Sequence, residues 1–187
     1  MNGKVIVFSA PSGSGKTTLV QWLLSQNLNL QFSVSATSRA PRGTEMHAVD
    51  YYFLTPTEFR SKIAEAAFLE FEEVYKDKYY GSLKDEVESK LKDGINVLFD
   101  VDVKGGIKIK EYFKDQALSI FVQPPSIEIL QKRLTKRGTD ASEIIEERIA
   151  KASYELTFAH EFDQIVVNDD LEKAKQNCLL LVTNFIK

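Results

Sequence analysis

A chain of 187 residues holds one full-sized core with appendages, and its formal net charge of -3 lacks the basic excess that a nucleic-acid surface requires. Hydrophobic residues at 43% and charged residues at 27% exclude a disordered chain, and no apolar run approaches membrane-spanning length. A lone cysteine, Cys178, excludes an internal disulfide and a thiolate zinc site, fits a reducing, cytoplasmic compartment, and reads as a small buried hydrophobe on the last helix.

The start, Met1-Asn2-Gly3-Lys4, leads directly into Val5-Ile6-Val7-Phe8, too short and too early for a signal peptide. This apolar run predicts a strand over Val5–Ser9, then a Gly/Ser loop over Ala10–Gly15 and a helix to about Leu24. From Ser33 to Ser82 the rhythm breaks. Tyr51, Tyr52, Phe53, Phe59, Phe68, Phe71, Tyr75, Tyr79 and Tyr80 crowd this segment, and most of these rings are expected in a small core of their own. Thr55-Pro56-Thr57-Glu58 reads as a capping box with proline at the first helical position, flanked by short strands. The turn Asp93-Gly94 introduces a second strand over Ile95–Asp100, and Pro124-Pro125 closes a third over Leu118–Val122. The next helix has Ser126 as N-cap and Gly138 at its end. Arg133–Arg148, dense in charge, reads as a mobile, solvated helical flap. A fourth strand, Gln164–Val167, precedes a last helix over about Leu171–Phe185. Strands alternating with amphipathic helices imply a parallel sheet covered on both faces.

Ala10-Pro11-Ser12-Gly13-Ser14-Gly15-Lys16-Thr17 lies between a strand and a helix, the context that makes a phosphate loop credible. Its glycines let backbone N–H groups turn inward around a β-phosphate, and the helix dipole adds positive potential. Lys16 would reach the β- and γ-phosphates and the Thr17 hydroxyl would ligate Mg²⁺, with Gly13, Ser14, Gly15 and Thr18 completing an ATP site. Ala10 stands where the motif usually has glycine, so a negative φ is expected there. Asp100, at the C-terminal end of its strand, is placed to serve the Mg²⁺. Asp102 shares that side if the chain stays extended; a helix N-cap is its other reading. The fold class is therefore α/β, a P-loop NTPase-like three-layer core over 1–32, 83–125 and 149–187. An α+β insert covers 33–82 and a helical lid 126–148.

A phosphate loop does not say what receives the phosphoryl group. His47, in a polar loop, and His160, at a helix end, suit surface or capping roles. A phosphate acceptor needs no base, because its oxygen is already anionic, but two polyanions must be brought together by cations. Arg39 and Arg42 flank Ala40-Pro41, and Arg133, Arg137 and Arg148 lie in the flap.

Ser33-Val34-Ser35-Ala36-Thr37-Ser38-Arg39-Ala40-Pro41-Arg42-Gly43 and Asp50-Tyr51-Tyr52-Phe53 resemble the GMP-binding segment of guanylate kinases. Phe68-Leu69-Glu70, Tyr79-Tyr80-Gly81-Ser82, Asp100-Val101-Asp102, Arg137-Gly138-Thr139 and Val167-Asn168-Asp169-Asp170 continue the similarity in order, over nearly the whole chain. The resemblance implies ATP:GMP phosphotransfer, with ATP and Mg²⁺ on the core and GMP, with dGMP left open, on the insert. It implies that Arg39, Arg42, Tyr51 and Tyr80 hold the GMP phosphate, and that Ser35, Glu70, Gly81, Ser82 and Asp102 lie at the guanine. Arg133, Arg137 and Arg148 would close over the phosphates, Lys16, Arg42, Arg137 and Arg148 acting in catalysis, and Asn168 would lie near the adenine. The loop at Tyr75–Lys78 is one residue longer than the common pattern, and Lys104 stands where the family often has glutamine.

Chemistry gives Glu70 a separate rationale. Guanine presents N1–H and an amino group side by side, and one carboxylate accepts both, while hydroxyls of Ser35 or Ser82 can donate to O6. Adenine would turn a lone pair toward that carboxylate, and a site built on such bonds rejects the analogue by up to about 10⁴-fold. Two other readings remain. One is a non-catalytic module that binds a phosphopeptide through Arg39 and Arg42. The other is a P-loop kinase with a different small acceptor.

Overall fold

In β1 (Val5–Ser9) all residues are buried and successive side chains point to opposite faces. Ile6 and Phe8 therefore enter one core cluster, and Val5 and Val7 another. The chain continues through α1 (Lys16–Leu24) and β2 (Leu30–Phe32), then leaves the core for β3 (Ala36–Thr37), β4 (Tyr52–Phe53), α2 (Pro56–Ala64), β5 (Phe68–Tyr75) and β6 (Lys78–Leu83). It returns through α3 (Lys84–Lys92), β7 (Asn96–Asp100), α4 (Val103–Phe113) and β8 (Ala117–Gln123), followed by α5 (Ile127–Arg137), α6 (Ser142–Leu156), β9 (Gln164–Val167) and α7 (Leu171–Ile186). This computed structural model describes residues 2–137 and 142–187, the side chains of Arg137 and Ser142 excepted. Gly138, the expected helix end, lies outside them.

The core is a parallel sheet in the order β2-β7-β1-β8-β9. Leu19, Leu23, Ala174, Cys178 and Val182 bring α1 and α7 onto one face, while Val87, Leu91 and Ile109 bring α3 and α4 onto the other. Each fully buried Leu, Val or Ile contributes about 1.5–3 kcal/mol of transfer free energy. Burial pushes the Cys178 thiol up to about 12, so it stays protonated and inert. The strand β2 has no counterpart in the sequence reading. It is three residues at the sheet edge, two of them exposed, and such a strand carries no apolar run.

The excursion between β2 and α3 forms a second sheet, β4-β3-β6-β5, over a separate core. There the Phe59 ring stacks on Phe68 at 4.3 Å and on Tyr79 at 5.2 Å. The capping box at α2 is complete: the Glu58 N–H donates to Thr55 Oγ1 at 3.2 Å, and the Thr55 N–H donates to Glu58 Oε2 at 2.7 Å.

Charge density along 133–148 suggests a helix wet on every side. Its inner side is instead apolar: Leu130, Leu134 and Ala152 are fully buried, with Ile145 and Ile149 packed against them. The apolar residues recur at helical spacing on both α5 and α6, and between them the two helices bury one stripe. The outer faces carry most of the charge, while Arg133 of α5 reaches the Asn168 carbonyl and Glu155 of α6 is buried.

Candidate active site

The phosphate loop leaves β1 at the C-terminal edge of the sheet. Gly13 and Gly15 have φ of +92° and +90°, where L side chains are disfavoured, whereas Ala10 keeps a negative φ and is tolerated. A Cβ on Gly13 would lie 2.9 Å from Leu134 and 3.0 Å from Leu130, so α5 rests directly on the loop. A Cβ on Gly15 would run into the Asn168 amide. That amide donates to the Ser14 carbonyl at 2.7 Å, and Arg133 donates to the Asn168 carbonyl at 2.8 Å. Ser14 is buried, its hydroxyl donating to the Pro11 carbonyl at 2.7 Å. Ser14, Asn168 and Arg133 thus brace the loop from behind.

In front of the loop a cavity is lined by Gly13, Gly15, Lys16, Thr17, Thr18, Asp100, Asp102 and Arg148. Parallel pairing places Asp100 beside Phe8, one residue before β1 ends. Lys16 forms an ion pair with Asp100, and its ammonium also donates to the Val101 carbonyl at 2.9 Å. Asp102 is the N-cap of α4, accepting from the Gly105 N–H at 2.7 Å, so the chain bends there and the capping alternative is the one observed. Two residues of this cavity escaped the sequence reading, Lys151 and Glu155. Burial raises the Glu155 carboxyl above its usual range and Asp102 adds to this, while Lys151 and Lys16 oppose it. The available signal was periodicity: Arg148, Lys151 and Glu155 recur at i, i+3 and i+7 and share one helical face.

A second group of polar side chains belongs to the insert. In the β5–β6 hairpin Glu70 pairs with Ser82 and Glu72 with Tyr80, so these four share one face, with Phe71 and Gly81 on the other. The Ser82 hydroxyl donates to Glu70 Oε1 at 2.7 Å. Ser35 precedes Ala36, which pairs with Gly81, so one further step of that register brings Ser35 toward Ser82. A Cβ on Gly105 would sit 3.0 Å from Asp102 Oδ1 and 3.4 Å from Glu70 Oε2, so a glycine in the first turn of α4 lets these two carboxylates converge. Burial raises the Glu70 carboxyl, and the nearby Asp102 and Glu72 add to this; the Ser82 hydroxyl and Lys108 counteract it. Gly81 has a packing reason of its own, since a Cβ there would lie 2.7 Å from the Glu70 carbonyl and 2.9 Å from Phe71 Cβ.

Arg39 lies over the Tyr51 ring at 4.9 Å, and its Nε–H donates to Tyr80 Oη at 3.1 Å. Tyr51 and Tyr80 meet edge to face at 6.1 Å. The Arg42 side chain is exposed, close to Arg39 along the chain. Glu45, which the sequence reading passed over, takes both ends of the Arg39 fork at 2.6 and 2.7 Å. The Arg137 side chain lies outside the described residues. His47 accepts from the Phe53 N–H through Nδ1 at 3.2 Å, and His160 lies on the surface beside Glu161 at 3.1 Å.

A glycine loop between a parallel strand and a helix, a lysine behind its last glycine, and a carboxylate closing the adjacent strand define a P-loop nucleotide-binding kinase with an inserted α+β subdomain. The guanylate kinase family model matches residues 2–182. A guanylate kinase of Bacteroides thetaiotaomicron is 63% identical, the alignment covering 100% of this chain and 91% of that protein. One from Bacteroides fragilis is 59% identical over 98% of this chain and 90% of that protein. Among solved structures, the guanylate kinase from Anaplasma phagocytophilum superposes with a TM-score of 0.74 at 29% identity, covering 99% of this chain and 87% of that one. The chain belongs to the guanylate kinase family and is an enzyme. Among the described residues no helix is long and apolar enough to cross a membrane.

Proposed function

We propose that the chain transfers the γ-phosphoryl group of ATP to GMP, giving ADP and GDP. The observation that carries this reading is the pair of polar sites flanking the start of α4: the phosphate loop with Lys16 and Asp100 on one side, and Glu70 with Ser82 on the other.

ATP lies along the loop, its β-phosphate within the backbone N–H groups between Gly13 and Thr18, and Lys16 exchanges part of its contact with Asp100 for the β- and γ-oxygens. Thr17 and Asp100 line the same cavity and offer a hydroxyl and a carboxylate, the hard oxygen donors that suit Mg²⁺. That ion would be held by these two residues and would supply charge neutralisation across the β- and γ-phosphates. GMP lies on the insert, its N1–H and amino group on Glu70, its O6 near Ser82 or Ser35, and Asp102 beside the ring. Arg39, Arg42, Tyr51 and Tyr80 hold its phosphate, and Arg148 reaches the transferring group from α6. Asn168 and Arg133 act through the loop they brace.

A GMP phosphate oxygen attacks the γ-phosphorus. The new P–O bond forms as the bond to the β–γ bridging oxygen breaks, and ADP leaves with that electron pair. The attacking oxygen carries its own charge, so no side chain removes a proton, and catalysis is positioning plus stabilisation of charge on the moving group. Closure of the insert over the loop would exclude water, which would otherwise hydrolyse ATP. A phosphopeptide-binding module has no physical need for Lys16, Thr17 and Asp100 around one cavity. The test is a coupled ADP-release assay with GMP, AMP, UMP and CMP in turn. Turnover with GMP should exceed each of the others by about 10³-fold or more, and equal turnover with AMP would overturn the acceptor assignment.

A further inference from the structure

Glu45 has no part in the reading above, yet its carboxylate is among the most engaged side chains of the insert. Its Oε2 accepts from Arg39 Nη1 at 2.6 Å and from the backbone N–H of Arg42 at 2.8 Å, while Oε1 accepts from Arg39 Nη2 at 2.7 Å. A backbone bond from the Glu45 N–H to the Arg42 carbonyl, 3.0 Å, closes the turn from the other side. Arg39 spends a further N–H on the Ala40 carbonyl at 3.0 Å and its Nε–H on Tyr80 Oη at 3.1 Å. Among the described residues, four of the five guanidinium N–H groups have partners and the fifth, on Nη2, has none. The Arg39 side chain is 8% exposed and the Glu45 side chain 24%. The fork is therefore locked in place, and it is not a swinging surface arginine.

We infer that Glu45 is a positioning residue for the acceptor's phosphate, fixing the Arg39 fork and the Arg39–Arg42 turn so that one N–H of Arg39, the Tyr80 hydroxyl and the Arg42 side chain converge on a phosphomonoester. This rests on the acceptor site proposed above. The chain of effects runs through atoms. Carboxylate on both ends of the fork sets its plane, and that plane aims Nε–H at Tyr80 Oη. Because Oη accepts there, its own proton is left to donate elsewhere. Glu45 also keeps the turn backbone folded, so Arg42 leaves it in a defined direction. The pair is neutral, so Arg42 supplies the net positive charge that the phosphate meets, while Arg39 and Tyr80 supply direction. Strong coupling fits the acid strength of Glu45: the Arg39 fork, and then the Arg42 N–H, hold its carboxyl down at about 2, so it stays ionised wherever the enzyme works.

The opposite role has the same contacts. A carboxylate on a phosphate-binding arginine can act as a stand-in that the phosphate must displace. The two roles differ in sign. Glu45→Gln keeps the shape and removes the charge. Positioning predicts that KM for GMP rises about 10-fold or more, with KM for ATP near that of the parent enzyme. Because the fold favours ionised Glu45, the melting temperature should fall somewhat, and a thermal melt checks that the variant is folded at the assay temperature. A stand-in predicts that KM for GMP falls. The loss should also depend on Arg39: Glu45→Gln placed on Arg39→Ala should add less than about 2-fold. An unchanged or lower KM for GMP in Glu45→Gln, or a full further loss on the Arg39→Ala background, overturns the inference. Should Glu45→Gln not fold, Glu45→Asp, which keeps the charge but draws the carboxylate back by one methylene, must raise the same KM or the inference fails. Arg39→Ala alone tests the underlying reading: if it leaves KM for GMP unchanged, the acceptor assignment is at fault and not the role of Glu45.

Discussion

The two sites proposed here for phosphate groups are built from different materials. On the core, the loop between β1 and α1 offers backbone N–H groups, and its shape is set by two glycines at positive φ and by the Asn168 amide braced behind them. On the insert the polar groups are side chains, and two of them are held by other side chains: the cation Arg39 by Glu45, Tyr51 and Tyr80, and the carboxylate Glu70 by Ser82. A backbone site fails when a Cβ is added. A side-chain site fails when the partner of a ligand is changed, even a partner that never touches substrate.

The largest effect expected is at Lys16, a core residue that works through its side chain. Lys16→Met should lower kcat by about 10³-fold, roughly 4 kcal/mol, because it removes the cation that follows the γ-phosphoryl charge through the transition state. The fold should persist, since the lysine body is partly exposed and, among the described residues, its ammonium bonds to Asp100 and the Val101 carbonyl. Kinetics together with a thermal melt check this. Near-normal turnover in a folded variant would break the core side of the comparison. Next comes Glu70→Ala on the insert. It should lower kcat/KM for GMP by about 10²-fold, roughly 3 kcal/mol, and leave KM for ATP within about 2-fold. Equal loss on both substrates would mean that the two sites are not separable.

That contrast also governs what the sequence discloses. The phosphate loop, the strand before it and the carboxylate ending the neighbouring strand follow one another at fixed spacing, so Lys16, Thr17 and Asp100 can be read as a set. Buried strands of four or more apolar residues are equally legible. The edge strand β2 is not, because it has three residues and two of them face solvent. The inward face of α5 and α6 is hidden under their charge, although Leu130, Leu134, Ile145 and Ile149 recur at helical spacing. Glu45 is the instructive omission. Arg39 and Arg42 are recognisable as a cationic pair, but that a carboxylate three residues past Arg42 folds back onto both is a property of the turn, and no periodicity announces it. Asp102 shows the limit of extrapolating a strand. Extended geometry would align it with Asp100, yet the start of α4 bends it into an N-cap facing Gly105.

Gly81→Ala sharpens the structural half of the comparison without altering a polar group. The residue lies on the apolar face of the β5–β6 hairpin, where a methyl would approach the Glu70 carbonyl and Phe71 Cβ. The backbone neighbour cannot rotate away, so the hairpin must open. The expected cost is about 2 kcal/mol of stability, or a melting temperature lower by about 6 °C, with KM for GMP raised because Glu70 and Ser82 move apart. A variant with unchanged melting temperature and unchanged KM for GMP would show that the insert adapts where the close contacts imply that it cannot.

The smallest expected effect is also the most diagnostic, because stability and function should move in opposite directions. In the proposed acceptor site the charge of Glu70 comes at a cost to the free enzyme: burial disfavours it, and Asp102 and Glu72 repel it, against partial relief from Ser82 and Lys108. A carboxyl whose pKa in the folded protein lies above its unfolded value contributes most to stability when protonated, and that contribution is lost as pH rises through the folded value. Ionised Glu70 at neutral pH is therefore a destabilising group. Glu70→Gln keeps the size and an acceptor for the Ser82 hydroxyl but cannot ionise. Its melting temperature without nucleotide should exceed that of the parent by about 3 °C, roughly 1 kcal/mol, at pH 7.5. The difference should shrink as pH falls toward 4, where both side chains are neutral. Its kcat/KM for GMP should fall at pH 7.5, since an amide offers one acceptor to the two adjacent donors of guanine. Scanning calorimetry of both proteins across that pH range decides the matter. A Glu70→Gln enzyme less stable than the parent at pH 7.5 would mean that the carboxylate is a net structural asset, and that the acceptor site, like the phosphate loop, is held in shape without strain on its ligands.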